Sequence, residues 1–440
     1  MQTPKTKDAI TSLWSGQPVL PSHKHLLKDN EVAPGIQLSE FETRRSDLVS
    51  KMPENKKTKH ASKGYKTTIF CEPKNHSKEL WSGPVNGIEL AVSTFGADEA
   101  FSIKSFENYI TKTLKNVISN GGNIYSNEDM IDKSQKNYSS NAQSAEDVLR
   151  RCIKQLLHRG TDSEYLSIDM QIQRLRLIKS AAEQELMKEA SRITAFGYDA
   201  IFKKCRPGVG QDILAASFEY YSKVGAGEKS PLARIGYVPV FGSGDHALIM
   251  HYVQNNLPVL KDQMLLIDAG MEYAEYMCDV SRTIPVNGKF FQQQADLYGT
   301  LLEVQEKCIS YMYSDSEMSL NDVHLISENL MSKGLSKLGF SNLKSQDLRS
   351  ILYPHHLSHY LGINLHDTGD MSRSIKLQEG MVVTVEPGVY VPYNSAFPKH
   401  FQGIGIRIED DVIVGKAKGS MQVITESIPK RIDEIEQRMA

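Results

Sequence analysis

The sequence predicts an α+β fold in two domains, a smaller one over residues 1–171 and a larger one over 172–440 that repeats one helix-helix-sheet unit. Three observations lead there. The chain has 440 residues, more than the roughly 100–200 of one ordinary domain. Residues 123–145 are rich in Ser, Asn, Asp and Gln and poor in apolar side chains, the composition of a flexible linker. Beyond residue 180 the same order of elements appears twice. Each copy holds an apolar run that ends in a carboxylate and then a glycine turn: Met264-Leu-Leu-Ile-Asp268-Ala-Gly270, and Met381-Val-Val-Thr-Val-Glu386-Pro-Gly388.

Residues 1–35 are polar and loop-like, and helical spacing begins near Leu38–Met52. Residues 53–66 read as a polar, basic connector, and Thr67–Cys71 as a short strand. Ser180-Ala-Ala-Glu183 is a capping box, in which serine and glutamate each satisfy one free amide at a helix start. Leu186, Ala190, Ile193, Gly197 and Ile201 follow at helical steps, and Pro207-Gly208 ends that helix. A second helix is expected over Asp212–Lys223. Strands are expected near Tyr237–Phe241, Ala247–Tyr252, Met264–Asp268 and Ser281–Val286. Leu297, Leu301, Val304 and Cys308 mark a third helix, and Asn321–Lys337 a fourth. Strands then return near His359–Leu361, Met381–Glu386, Gly405–Asp411 and Met421–Ile424.

Composition narrows the function. Lys plus Arg number 51 against 53 Asp plus Glu, so charge gives no reason to expect a nucleic-acid or membrane partner. No stretch approaches the ~18 unbroken apolar residues of a membrane span. Met1–Ser15 lacks the apolar segment of a secretory signal, and the first arginine is Arg44, with Asp8, Asp29 and Glu31 before it, unlike a transit peptide. Five scattered cysteines without CxxC spacing fit reduced thiols in a non-secreted protein.

The chemistry lies in the acids. Asp268 ends one apolar run, Asp279 follows eleven residues later, Glu386 ends the second run, and Glu409 lies in GIGIRIEDDVIV. A strand through that last segment puts Gly405, Arg407 and Glu409 on one face and Ile404, Ile406, Ile408 and Asp410 on the other. Four carboxylates beside apolar strands are costly to bury unless positive charge pairs with them. Arg282 and Arg407 offer part of that charge, and divalent cations offer all of it. Four of the 13 histidines fall within His355–His366. One imidazole with several carboxylates suits Mn²⁺, Fe²⁺, Co²⁺ or Zn²⁺, and bridging carboxylates hold two ions ~3.5–4 Å apart with a shared hydroxide. Each feature alone has a plainer reading. An aspartate after a strand is ordinarily a turn residue, Glu409 can be half of an ion pair with Arg407, and His251 alone is an ordinary surface histidine.

Taken together, LIDAG, DVSRT, HHLSHYLG with HD, VEPGVY and GIGIRIEDD resemble the successive motifs of the pita-bread metallopeptidases, in family order over Gln173–Gln437. Within that family they look most like aminopeptidase P, and its mitochondrial, intermediate-cleaving branch in particular. His25-Leu-Leu, Glu79-Leu-Trp81-Ser-Gly-Pro84, Gly96-Ala-Asp-Glu99-Ala and Ile172–Ser180 add to that likeness. The resemblance implies a C-terminal pita-bread domain with an internal two-fold repeat, preceded by a smaller α/β domain. It implies two divalent ions, manganese by family habit with Co²⁺, Zn²⁺ and Fe²⁺ as alternatives. Asp279 and Glu409 would bridge them, Asp268 would complete one site, and His359 and Glu386 the other. It implies catalytic roles for His251, His355, His366, Glu386 and Arg407, with Tyr390 near the same cleft. The implied activity removes the N-terminal residue from peptides or proteins with proline second, through a hydroxide shared by the two metals. Prolidase, methionine aminopeptidase and a catalytically impaired binding module are the alternatives. A mitochondrial or cytoplasmic location and a homodimer are compatible with the resemblance. The sequence departs from the pattern in one large respect. Only Lys56–Lys66 stands where the family has a long stretch of strands and aromatics, so roughly a third of an ordinary N-terminal domain is absent. His356 and Gln254-Asn255 are smaller departures.

Overall fold

The structure, a computed structural model, describes residues 18–20, 23–52, 65–127, 145–156, 164–341 and 343–440. The chain divides into two compact units, Met1–Leu175 and Arg176–Ala440.

In the first unit, strand Thr68–Cys71 runs parallel to Glu99–Ser102, and Ile124–Ser126 parallel to Tyr165–Ser167. Parallel pairs need a crossover. Helices His76–Ser82 and Gly87–Phe95 lie between the strands of the first pair, and Ala145–Leu156 between those of the second. Leu114, Ile124, Cys152 and Ile153 form a small core. Two expectations need correction here. Residues 1–35 are not all loop, since Glu31–Ala33 pairs with Ile36–Gln37. Nor is 123–145 all linker, because Ile124 is buried and its strand is paired. Residues 128–144 of that stretch, and most of the 53–66 connector, lie outside the described residues.

The second unit carries the repeat. Its first helix pair is Ala181–Lys204 and Gln211–Ala226, and its second is Gln292–Ile309 and Leu320–Lys337. The capping box forms: the Glu183 amide donates to Ser180 Oγ at 3.2 Å, and the Ser180 amide to Glu183 Oε2 at 2.8 Å. Leu186, Ala190, Ile193, Gly197 and Ile201 are all buried, as their spacing predicts.

After each helix pair comes a three-stranded antiparallel sheet. Met264–Asp268 lies between Val240–Ser243 and Ser281–Pro285, with Asp268 opposite Ser281. Val382–Val385 pairs with Asp410–Ile413, which also pairs with Gln422–Val423. Both apolar runs are buried because strands or helices cover their two faces. Four expected strands differ. Tyr237–Phe241 is a strand only from Val240, over Val240–Ser243. Ala247–Tyr252 is a tight helical turn over Gly244–Leu248 and then loop, with Tyr252 stacked on His246 at 4.4 Å. His359–Leu361 makes only a single bridge, Tyr360 to Val383. The segment Gly405–Asp411 is two strands: Ile404–Arg407 pairs with Gly388–Val391, and Asp410–Ile413 with Val382–Val385. Glu409 falls at the changeover, where its amide bonds the Ser281 carbonyl at 3.0 Å. All five thiols are free. Among the described residues, no helix is long and apolar enough to cross a membrane.

Candidate active site

The two sheets of the repeat deliver four acids to one place. Asp268 closes its strand, and the next turn returns the chain so that Asp279 stands beside it. Gly270 makes that return feasible, because a Cβ there would meet the Cys278 carbonyl oxygen at 1.8 Å. Glu386 follows Val385, and Glu409 precedes Asp410, in the equivalent positions of the second copy. The His355–His359 segment runs alongside Val382–Val385: Glu386 N–H bonds the Leu357 carbonyl at 2.9 Å, and Thr384 N–H the His359 carbonyl at 3.0 Å. This lateral pairing brings His359 beside Glu386.

The acids line a cavity of about 260 Å³ together with His251, His355, His359, His366 and Arg407, so all nine sequence-predicted site residues share one space. Val238, Val240, Met250, Val253 and Leu365 supply an apolar wall. Asp279, His359 and Glu409 each present one ligand atom, all within 4.8 Å of one another, the one such group of acids, histidines and cysteines among the described residues. Asp268 and Glu386 stand one step out. His359 Nδ1 lies 3.0 Å from the Tyr360 carbonyl, which leaves Nε2 facing the acids, 3.4 Å from Asp279 Oδ2 and 3.5 Å from Glu386 Oε1.

Arg407 ties the acids together. Its Nη2 donates to Asp268 Oδ2 at 2.6 Å and its Nε to Ser281 Oγ at 2.8 Å, while the Ser281 hydroxyl donates to Glu409 Oε2 at 2.6 Å. Its Nη1 donates to the Tyr390 hydroxyl at 2.9 Å, which stands 3.0 Å from His355 Nε2. Tyr390 is thus a buried support behind the cavity wall. His356 turns outward, with Nε2 at 3.2 Å from Asn321 Oδ1 and its ring against that of His324. Arg282 does not serve the acids' charge as the sequence suggested. Its guanidinium goes to Asp410 Oδ1 at 2.8 Å and to backbone carbonyls.

The sequence reading missed Tyr237. Its hydroxyl lies 2.8 Å from Asp268 Oδ1 and 2.7 Å from Asp279 Oδ1, so it bridges the two acids of the first copy. The sequence places it at the start of an expected strand, whereas the fold leaves it in the loop before Val240–Ser243, and a single tyrosine has no spacing that distinguishes it. Ser281 lay inside the DVSRT motif, but only the fold shows its hydroxyl joining Arg407 to Glu409.

The electrostatics are those of crowded acids. Burial pushes Glu386 up to about 7, and raises Asp268 and Glu409 with added repulsion from neighbouring carboxylates. Burial acts the same way on Asp279, but hydrogen bonds from His359 and Tyr237 hold it below the ordinary aspartate range. Burial lowers His359, yet Asp279 and Glu386 outweigh it and raise the imidazole to about 9. Burial, reinforced by Arg407, depresses His355 to about 3, so it is neutral. Four carboxylates face one guanidinium and one imidazolium. This excess of buried negative charge, and an oxygen-rich donor set with one imidazole, fit a divalent cation.

The metallopeptidase family M24 pattern matches residues 185–416, more than half of the chain and all of the site residues above. The chain belongs to metallopeptidase family M24. The aminopeptidase P N-terminal domain matches residues 56–120. This M24 chain is 32% identical to intermediate cleaving peptidase 55 of Schizosaccharomyces pombe, over 97% of this chain and 92% of that one. That alignment spans 469 positions, more than the 440 residues present here, so the relative holds residues with no counterpart in this chain. It is 29% identical to human Xaa-Pro aminopeptidase 3, over 99% of this chain and 92% of the other. It is 30% identical to the mitochondrial intermediate cleaving peptidase 55 of Arabidopsis thaliana, over 96% of this chain and 87% of that one. The crystal structure of Icp55 from Saccharomyces cerevisiae superposes with a TM-score of 0.78 at 28% identity, covering 93% of this chain and 99% of the other. The fold is the pita-bread fold of aminopeptidase P.

Proposed function

We propose that this chain is a metal-dependent aminopeptidase that removes the N-terminal residue from peptides with proline second. The observation that carries the reading is the convergence of Asp279, His359 and Glu409 within 4.8 Å, in a cavity that His251, His355 and His366 also line. Asp268, Asp279, His359, Glu386 and Glu409 would hold two divalent cations, with manganese the first to try. When bound, such a pair polarises the scissile carbonyl and lowers the pKa of a water molecule toward neutrality. The protein's own part is positional and protonic. Arg407 orients Asp268 directly and Glu409 through Ser281, the outer support that metal ligands commonly have. Glu386 would take a proton and pass it to the leaving prolyl nitrogen. His251 and His366 would donate to the oxygen on which charge develops, and the neutral His355, held by the His356 carbonyl and the Tyr390 hydroxyl, would line the pocket beside them. The partners would be peptide or protein N-termini, in a homodimer like the one the resemblance allows. A mitochondrial setting follows the Arabidopsis relative.

The decisive assay is cleavage of an X-Pro-Y tripeptide with Mn²⁺, with chelator, and with Mn²⁺ restored. Activity is expected to vanish on chelation and to return. Hydrolysis of X-Pro dipeptides alone would point to prolidase instead, and binding without hydrolysis of either would point to an impaired module.

Tyr237→Phe tests the support of the acids. Removing a hydroxyl that touches two ligands is expected to weaken metal affinity about 10–100-fold, the usual cost of losing such a contact. Titration of the metal-free variant with Mn²⁺ measures this, and an unchanged affinity would remove Tyr237 from the account.

A further inference from the structure

His366 lines the cavity beside His359. Its ring makes an edge contact with His359, centroids 4.5 Å apart, and its backbone lies in a strained turn. Thr368, two residues on, has φ +48°, a region that a β-branched residue rarely enters, and its buried hydroxyl has no hydrogen-bond partner. Strain of this kind persists only where the surroundings impose it.

The next residue, Asp367, shows what imposes it. Asp367 is 3% exposed, and its Oδ2 accepts from Lys179 Nζ at 3.1 Å; Lys179 is itself 3% exposed. Its other oxygen accepts from Arg176, which also holds the Asn364 side chain. The Asp367 amide bonds the Tyr360 carbonyl at 2.9 Å and closes the loop that began beside His359. Lys179 is fixed in turn. Its amide bonds the Gly380 carbonyl at 2.9 Å, its carbonyl accepts from Gln184 at 2.9 Å, and the next residue, Ser180, caps the long helix. Gly362 keeps the ion pair possible, because a Cβ there would meet Asp367 Oδ2 at 2.6 Å and Lys179 Cε at 2.9 Å. A lysine buried this deeply loses its hydration, so its place is justified only by a partner it holds firmly.

We propose that the buried Lys179–Asp367–Arg176 cluster is a positioning device for His366, clamping the strained turn that aims this histidine into the cavity. Lys179 and Asp367 touch no reacting atom, so they act through His366. The inference rests on the peptidase reading for its kinetic consequence but not for its structural one.

The test uses the full chain and three variants, with Mn²⁺ bound for the kinetics and diamagnetic Zn²⁺ in its place for the resonance: Lys179→Met, Asp367→Asn and Gly362→Ala. The first two remove one partner of a buried pair and strain the fold. The glycine variant keeps both charges and only wedges them apart, so it remains informative if the others are unstable. Two quantities are read: the imidazole resonance of His366, identified by its loss in His366→Ala, and the kinetics on an X-Pro-Y tripeptide. The expected result is a displaced or broadened His366 resonance, kcat reduced about 10–100-fold as for a small misplacement of a positioned group, KM within about twofold, and unchanged bound metal. A His366 resonance that stays in place, an unchanged kcat, or a loss of activity that merely tracks lost metal would overturn the proposal. If the wild-type chain cleaves no X-Pro-Y peptide, the peptidase reading fails, and the resonance alone decides the positioning role.

Discussion

Replacing Glu386 with alanine, or Asp279 with asparagine, is expected to abolish turnover without unfolding the second unit. The loss follows from the two duties that Glu386 is placed to carry. As a proton carrier alone it should be worth about 10²–10⁴-fold, and its removal also opens the ligand set beside His359, from which it stands 3.5 Å. Stability should move the other way. In the metal-free protein the Glu386 carboxyl is pushed up to about 7 by burial and by its acidic neighbours. A carboxyl whose folded pKa is raised lends its full stability below its unfolded value near 4.5, and that stability is lost as pH rises through about 7. At pH 8 the metal-free wild type therefore carries a penalty that Glu386→Ala removes, so the variant should melt no lower than wild type. Added Mn²⁺ should raise the wild-type midpoint more than the variant's, since a ligand that binds the native state more tightly stabilises it more. Melting curves with and without Mn²⁺, beside an X-Pro-Y assay, read all of this. A purified variant that still turns over substrate would dismiss the assignment.

Much of this was legible in the sequence, for identifiable reasons. Met264–Ile267 and Met381–Val385 are covered on both faces, so they read as unbroken apolar runs, and acids at their ends had to face something polar or charged. The capping box is local chemistry and announces its helix wherever it occurs. What stayed hidden depended on pairings distant in sequence. The alternation through Gly405–Asp411 continues without interruption, so nothing in it shows the strand changing partners at Ile408 and Glu409. For the same reason a period of two places Asp411 on the face of Glu409. In the fold Asp411 lies behind the site, where it accepts the Asp279 amide at 2.9 Å. Arg282 was equally opaque. Its nearness to Asp279 in the DVSRT motif invites pairing with the site's acids, whereas the fold turns its guanidinium to Asp410, on the opposite face.

That opposite face yields the largest expected effect on stability. Arg282 is 0% exposed, as is Asp410. The guanidinium donates to Asp410 Oδ1 at 2.8 Å and to the carbonyls of Ser281 at 3.0 Å, Glu409 at 2.5 Å, Ile428 at 2.9 Å and Pro429 at 3.0 Å. Arg282→Ala leaves those carbonyls without that donor and Asp410 without its fully buried counter-ion. Breaking a buried pair in this way costs about 3–5 kcal/mol. Lys430, Gln305 and Thr425 still reach Asp410, at 2.6, 2.7 and 2.7 Å, which keeps the cost within that range. The pH dependence has a definite sign. Burial alone would raise Asp410, but Arg282 and Lys430 hold its carboxyl far below the ordinary range. Its stabilisation is therefore present above an unfolded value near 3.8 and is lost as pH falls toward the folded one. Without Arg282 the folded value rises, so the gap between wild type and variant should be widest at neutral pH and narrow below about pH 4. Urea unfolding at pH 7 and pH 3.5 measures the gap, and a difference under about 1 kcal/mol at pH 7 would mean that water, not Asp410, solvates this guanidinium. Because the same guanidinium holds the Glu409 carbonyl, whatever loosens it also loosens the strand changeover that aims the Glu409 carboxylate at the cavity.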